Sequence, residues 1–121
     1  MANVELSYMF DKDEASSADM AHFVHESEEF TRSIAPAGAD MHVCYEPAGH
    51  EEDAFHFLDI SGIMYGVHAY EEAGDRLESL RRMLHERFDP QQRARMEKAV
   101  AAVAISGAAD NLRTSSTSVK E

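Results

Sequence analysis

The chain has one cysteine, Cys44, and no tryptophan among its 121 residues. A lone cysteine excludes an internal disulfide and a CxxC pair, which makes a reducing compartment the default expectation. Basic residues are also few, with 11 Lys and Arg against 23 acids and a formal net charge of −12. Phosphate backbones are bound by clustered Lys and Arg, so general nucleic-acid binding is disfavoured. No apolar run approaches the ~18 residues that a membrane helix needs. The opening residues MANVELSY lack the basic-then-apolar pattern of a signal peptide, and the expected location is cytoplasmic. Glycine-rich phosphate loops, zinc-finger spacings and a Ser-His-Asp order are all missing.

What remains is ordinary globular material. Composition is 44% hydrophobic and 28% charged, which fits a folded domain rather than a disordered chain. The length allows one domain with a sizeable core, placed at residues 1–107. From Ala108 the chain is small and polar and ends RTSSTSVKE, so 108–121 is expected to be a disordered tail. The charge is unevenly placed. Residues 1–60 hold 14 acids and 2 bases, whereas residues 61–121 hold 9 of each. The simplest use of that asymmetry is attraction between the halves, within one chain or across a dimer.

Hydrophobic periodicity orders the elements. Val4, Leu6, Tyr8 and Phe10 alternate with polar neighbours and predict a strand. Met20, Phe23, Val24, Ser27, Phe30 and Ile34 recur at helical spacing and predict an amphipathic helix over Ser17–Ile34. Ser16 or Ser17 is its cap, and Pro36 and Gly38 end it. Met41, Val43 and Tyr45, then Phe55 and Phe57, alternate as two strands joined by the acidic turn Pro47–Asp53. A hairpin symmetric about residue 50 would set Tyr45 opposite Phe55, Val43 opposite Phe57 and Cys44 opposite His56. Both faces of that hairpin read as at least partly buried. After Ile60 the steps of three and four through Ile63, Val67, Tyr70, Leu77, Leu80, Leu84 and Phe88 favour one long helix. A rival reading makes Ser61-Gly62 a tight turn and Ile63–Tyr70 a strand. Asp89-Pro90 opens another helix. Residues 99–106 fit either its continuation or a closing strand.

Strand, helix, strand, strand, helix and an optional strand make an α+β class fold. The arrangement is the ferredoxin-like split βαβ with an antiparallel sheet, a long C-terminal helical segment and the polar tail. On Val4–Phe10, Ser17–Ile34 and the block AGADMHVCYEPAGHEEDAFHFLDIS, residues 4–106 resemble the dimeric α+β barrel superfamily, whose best-known members are antibiotic-biosynthesis-monooxygenase-like. That resemblance implies a homodimer with two sheets facing one another and a pocket between sheet and helices. It allows a cofactor-independent oxygenase, a haem-related enzyme or a protein without catalysis. No cofactor is identified.

Several groups of residues are candidates for chemistry. His42 and His56 are the candidate catalytic bases, since imidazole titrates near neutral pH. With Cys44 they form a candidate zinc or copper set if all three share a hairpin face, Glu46 being the nearest fourth ligand. His22, His25, Glu26 and Glu29 share a helix face and are the weaker metal candidate, the plainer reading being a solvated face. Tyr8, Tyr45, Phe55 and Phe57 would line an aromatic pocket if they lie on one side of the sheet, the plainer reading being hydrophobic core. His85 and Glu86 read as helix-surface residues. The leading expectation is a homodimer that binds a small hydrophobic or aromatic molecule, with His42 or His56 as base. The alternative is a non-enzymatic acidic interaction module using residues 11–29 and 50–53, or a His/Cys metal-binding protein.

Overall fold

The computed structural model describes residues 1–107, and the tail expected over 108–121 lies outside the described residues. Strand β1 (Ala2–Asp11) buries Val4, Leu6, Tyr8 and Phe10 on one face, as its alternation requires. Helix α1 (Ser17–Ile34) starts at a capping box, in which the Ser16 hydroxyl accepts from the Asp19 amide and the Asp19 carboxylate accepts from the Ser16 amide. Met20, Phe23, Ser27, Phe30, Thr31 and Ile34 face inward. The helix tightens into one 3₁₀ turn at Ala35–Ala37, and Gly38 stops it at φ 88°, a left-handed conformation that glycine adopts without strain.

The chain continues through β2 (Ala39–Glu46), β3 (Phe55–Met64), α2 (Ala69–His85), α3 (Pro90–Lys98) and β4 (Val100–Gly107). The four strands form one antiparallel sheet in the order β2-β3-β1-β4. Helix α1 carries the chain past the slot next to β1 and sets β2 down one position further out. Strand β3 then returns to fill that slot, and β4 closes the other side of β1. Helices α1 and α2 cover one face, and α3 is tied to α1 through Arg95–Asp19. The core runs from Tyr8 through Phe10 and Phe23 to Phe88, with successive ring centroids 5.2–5.8 Å apart. No helix of the described residues is long and apolar enough to cross a membrane.

Two expectations are corrected and one open choice is resolved. The single long helix up to Phe88 is instead the end of β3, helix α2, and a break before α3. Gly62 explains the first part. A Cβ there would lie 2.1 Å from the Asp40 carbonyl oxygen and 2.7 Å from the Met41 Cα. The glycine that weakened the helix reading is a strand residue over which β2 passes closely. The open choice at 99–106 resolves as strand β4. The hairpin register is shifted by three residues, with Cys44 opposite Asp59, Tyr45 opposite Leu58 and Val43 opposite Ile60. An odd shift exchanges faces. One face of the hairpin is buried under helices, and the other carries no covering layer among the described residues.

The expected attraction between the acidic and basic halves is formed within the chain. Arg87 meets Glu26 at 3.1 Å, Arg95 meets Asp19 at 3.3 Å and Lys98 meets Glu14 at 3.4 Å. Each pair joins the basic second half to the acidic first half.

Candidate functional site

The most unusual chemistry lies under α2. Leu77, Leu84 and Phe88 dock this helical segment on the sheet, and Arg81 and His85 sit among them one and two turns after Leu77. Placing His85 on the docking side buries it to 5% exposure, directly over Tyr8 of β1, which is fully buried. Tyr8 Oη and His85 Nε2 are 2.7 Å apart. On the other side of the ring, Nδ1 lies 3.6 Å from the Glu97 carboxylate, contributed by α3.

Burial disfavours the charged form of both groups. It pushes the Tyr8 phenol up to about 12, against which the neighbouring Arg81 guanidinium pulls only weakly. Burial also lowers His85, opposed mainly by Glu97. At neutral pH the pair is therefore phenol and neutral imidazole. The phenol donates to Nε2, which leaves the ring proton on Nδ1, facing Glu97.

Above His85 is a groove of about 380 Å³ lined, among the described residues, only by ionisable side chains, three Arg, three Glu and the histidine. Arg93 is committed, donating to the His85 and Phe88 carbonyl oxygens at the end of α2. Arg81 lies 3.6 Å from Glu78, and its buried Nε has no hydrogen-bond partner among the described residues. The groove thus offers cationic donors on one side, carboxylates on the other, and an imidazole N–H between them.

The residues expected from sequence are placed differently. His42 and Cys44 lie exposed on the uncovered sheet face, whereas His56 is buried on the helix side. The proposed His42–Cys44–His56 set is therefore divided between two faces. His42 Nε2 stands 3.4 Å from the Ser61 hydroxyl, with Glu5 in register on the far side of Ser61. The carboxylate flanks the serine rather than the imidazole, so the row does not have the order of a nucleophilic triad. His56 Nδ1 accepts from the Ala48 amide at 3.0 Å and stands 3.4 Å from Tyr45 Oη, which ties down the β2–β3 loop.

The aromatic set is split as well, because Tyr8 and Tyr45 point to the helices and Phe55 and Phe57 to the open face. On α1, His22 is 4.0 Å from Glu26, Glu26 is held by Arg87, and Glu29 pairs with Arg32. His25 is exposed. Among the described residues no three His, Cys, Asp or Glu side chains converge in a metal-binding group.

Sequence reasoning included Tyr8 but treated His85 as surface. The available signal was position, because Arg81 and His85 interrupt the apolar stripe at Leu77, Leu84 and Phe88 with titratable groups. Compared with protein-family models, with curated proteins and with solved structures, the chain matches none.

Proposed function

We propose that this chain is a ferredoxin-like split βαβ domain that binds a small zwitterionic molecule over His85. The Tyr8–His85 pair holds a proton at the floor of that site. The strand order β2-β3-β1-β4 supports the fold reading. The 2.7 Å bond between two buried groups beneath an entirely ionisable groove is the observation that carries the site. Buried polar pairs with displaced pKa values in a cleft mark functional sites more often than surface networks do. In this reading the ligand carboxylate meets Arg81 and Arg82, and its ammonium meets Glu86 or Glu97. A hydrophobic or aromatic ligand is less well served, because the four aromatic residues expected to line its pocket lie on two faces.

The site presents a donor rather than a base, since Nε2 is occupied by Tyr8 and Nδ1 carries the proton. That favours binding and polarisation over the proton abstraction that an oxygenase of the resembled superfamily would need. The homodimer implied by the resemblance would appose two open sheet faces. Each bears Glu5, Asp11, Asp40, Glu46 and Asp59 with no Lys or Arg among the described residues, and like charges oppose that packing at low salt.

The test is an NMR titration of the imidazole resonances with a panel of amino acids, simple carboxylates and amines. Amino acids should shift His85 saturably, and Arg81→Gln should weaken the effect about tenfold or more. A panel that leaves His85 unmoved, or binds R81Q equally well, rules the reading out.

A further inference from the structure

A second groove lies across the sheet from His85, where the β2–β3 loop meets the uncovered face. It encloses about 530 Å³ beside Glu46, Pro47, Glu52, Asp53, Phe55 and Phe57, and among the described residues no Lys or Arg lines it. Phe55 and Phe57 lie two apart on β3, so both rings stand on the open face, with centroids 6.5 Å apart and planes inclined at 59°. Glu46 is directly opposite Phe57 in the strand register. Asp53 is partly used, accepting from the His50 amide at 3.0 Å. Glu46 and Glu52 take part in no ion pair among the described residues, whereas seven other acids do, six of them on the helices. Lys12 spends its ammonium on the carbonyl oxygen of Glu51, in the same β2–β3 loop, at 2.9 Å.

The strand bordering this groove is an edge. Among the described residues β2 has no neighbour on its outer side. Natural edge strands are often blunted by charged side chains, Lys above all, or by Pro; Ala39–Glu46 has no Lys or Pro, and its charges are both acidic. Its open-face residues include Asp40 at one end and Glu46 at the other.

We infer that this edge and groove receive an extended, arginine- or lysine-bearing segment of a partner protein. The segment adds to β2 as a fifth strand through backbone hydrogen bonds. One basic side chain enters the groove, laying its aliphatic stem and cation against Phe55 and Phe57 and its charge against Glu46 and Glu52. A second, projecting on the same face, meets Asp40. Charge complementarity selects a cationic occupant, and the length of the unpaired edge selects a peptide over a small amine. The inference uses the face opposite His85 and is independent of the site proposed there.

The experiment is an amide NMR titration of the whole chain with a capped peptide about as long as the eight-residue β2, alternating Arg and Thr. Saturable shifts confined to β2, Phe55 and Phe57 are expected, weakening about tenfold or more between low and high salt. The double variant Glu46→Gln/Glu52→Gln should lose most of that affinity. Both sites are exposed, so its spectrum should otherwise match the parent. A Gln-for-Arg peptide that binds as well overturns the inference, as do shifts centred on α2. Free arginine or spermidine binding as tightly as the peptide would assign the groove to a small cation instead. Concentration-dependent shifts along β2 without any peptide would assign the edge to a second copy of the chain.

Discussion

Tyr8 and His85 make a matched pair whose pH behaviour can be predicted with its sign. The groups facing the imidazole are Tyr8 from β1, Glu78 and Arg81 from its own helix, and Glu97 from α3. His85 is lowered, so the unfolded chain takes up that proton first. Its contribution is complete above about 6.5, the ordinary histidine value, and is lost as pH falls through the folded value. Tyr8 is raised from 10.0 to about 12, so its contribution is complete below pH 10 and is lost as pH rises towards 12. That limb is on the order of 2 to 3 kcal/mol. Urea unfolding across pH should show a plateau between about 6.5 and 10 from this pair. Tyr8→Phe should cost about 1 to 3 kcal/mol by leaving a buried imidazole acceptor unpaired, and should remove the alkaline limb. An unchanged alkaline limb in Y8F would place its origin elsewhere.

At the scale of elements, the β2–β3 hairpin determines which side chains meet. Its register is held by two unlike constraints. His56 Nδ1 anchors the loop at Ala48, and Gly62 lets β2 pass over β3 where a methyl group would collide with the Asp40 carbonyl. Gly62→Ala must move one strand, and overpacking of this kind costs about 1 to 3 kcal/mol or more. The check is the denaturant midpoint together with cross-strand NOEs between β2 and β3. A variant with the parent midpoint and parent NOEs would show that the sheet can yield there. The same register explains why the sequence-level site dissolved. Shifting the pairing by three residues leaves His42 and Cys44 exposed and turns His56 inward, although every strand boundary nearby was anticipated to within a few residues.

At the scale of the molecule, charge is divided between two layers. The helical layer holds ion pairs that join the acidic and basic halves, whereas among the described residues the open sheet face carries carboxylates and no Lys or Arg. Exposed pairs each contribute little, and a net charge of −12 repels itself at low ionic strength. Raising NaCl from low to high concentration should therefore raise Tm. A falling Tm would mean that the interlayer pairs outweigh the repulsion. Much of this was legible beforehand. The helix α1, its serine cap, β1, the hairpin strands, the start of α3 and the attraction between halves all follow from local periodicity, cap chemistry and charge counts. These depend on residues a few positions apart or on sums over the chain. The sequence by itself determined an acidic chain of α+β class with those elements. Tertiary structure alone decided that Gly62 belongs to a strand, that residues 100–107 complete the sheet, and that His42 and His56 face opposite ways. It also decided that His85, 77 positions from Tyr8, is its partner. Register and burial arise from contacts between distant segments, and hydrophobic periodicity carries no record of which strand a side chain will face.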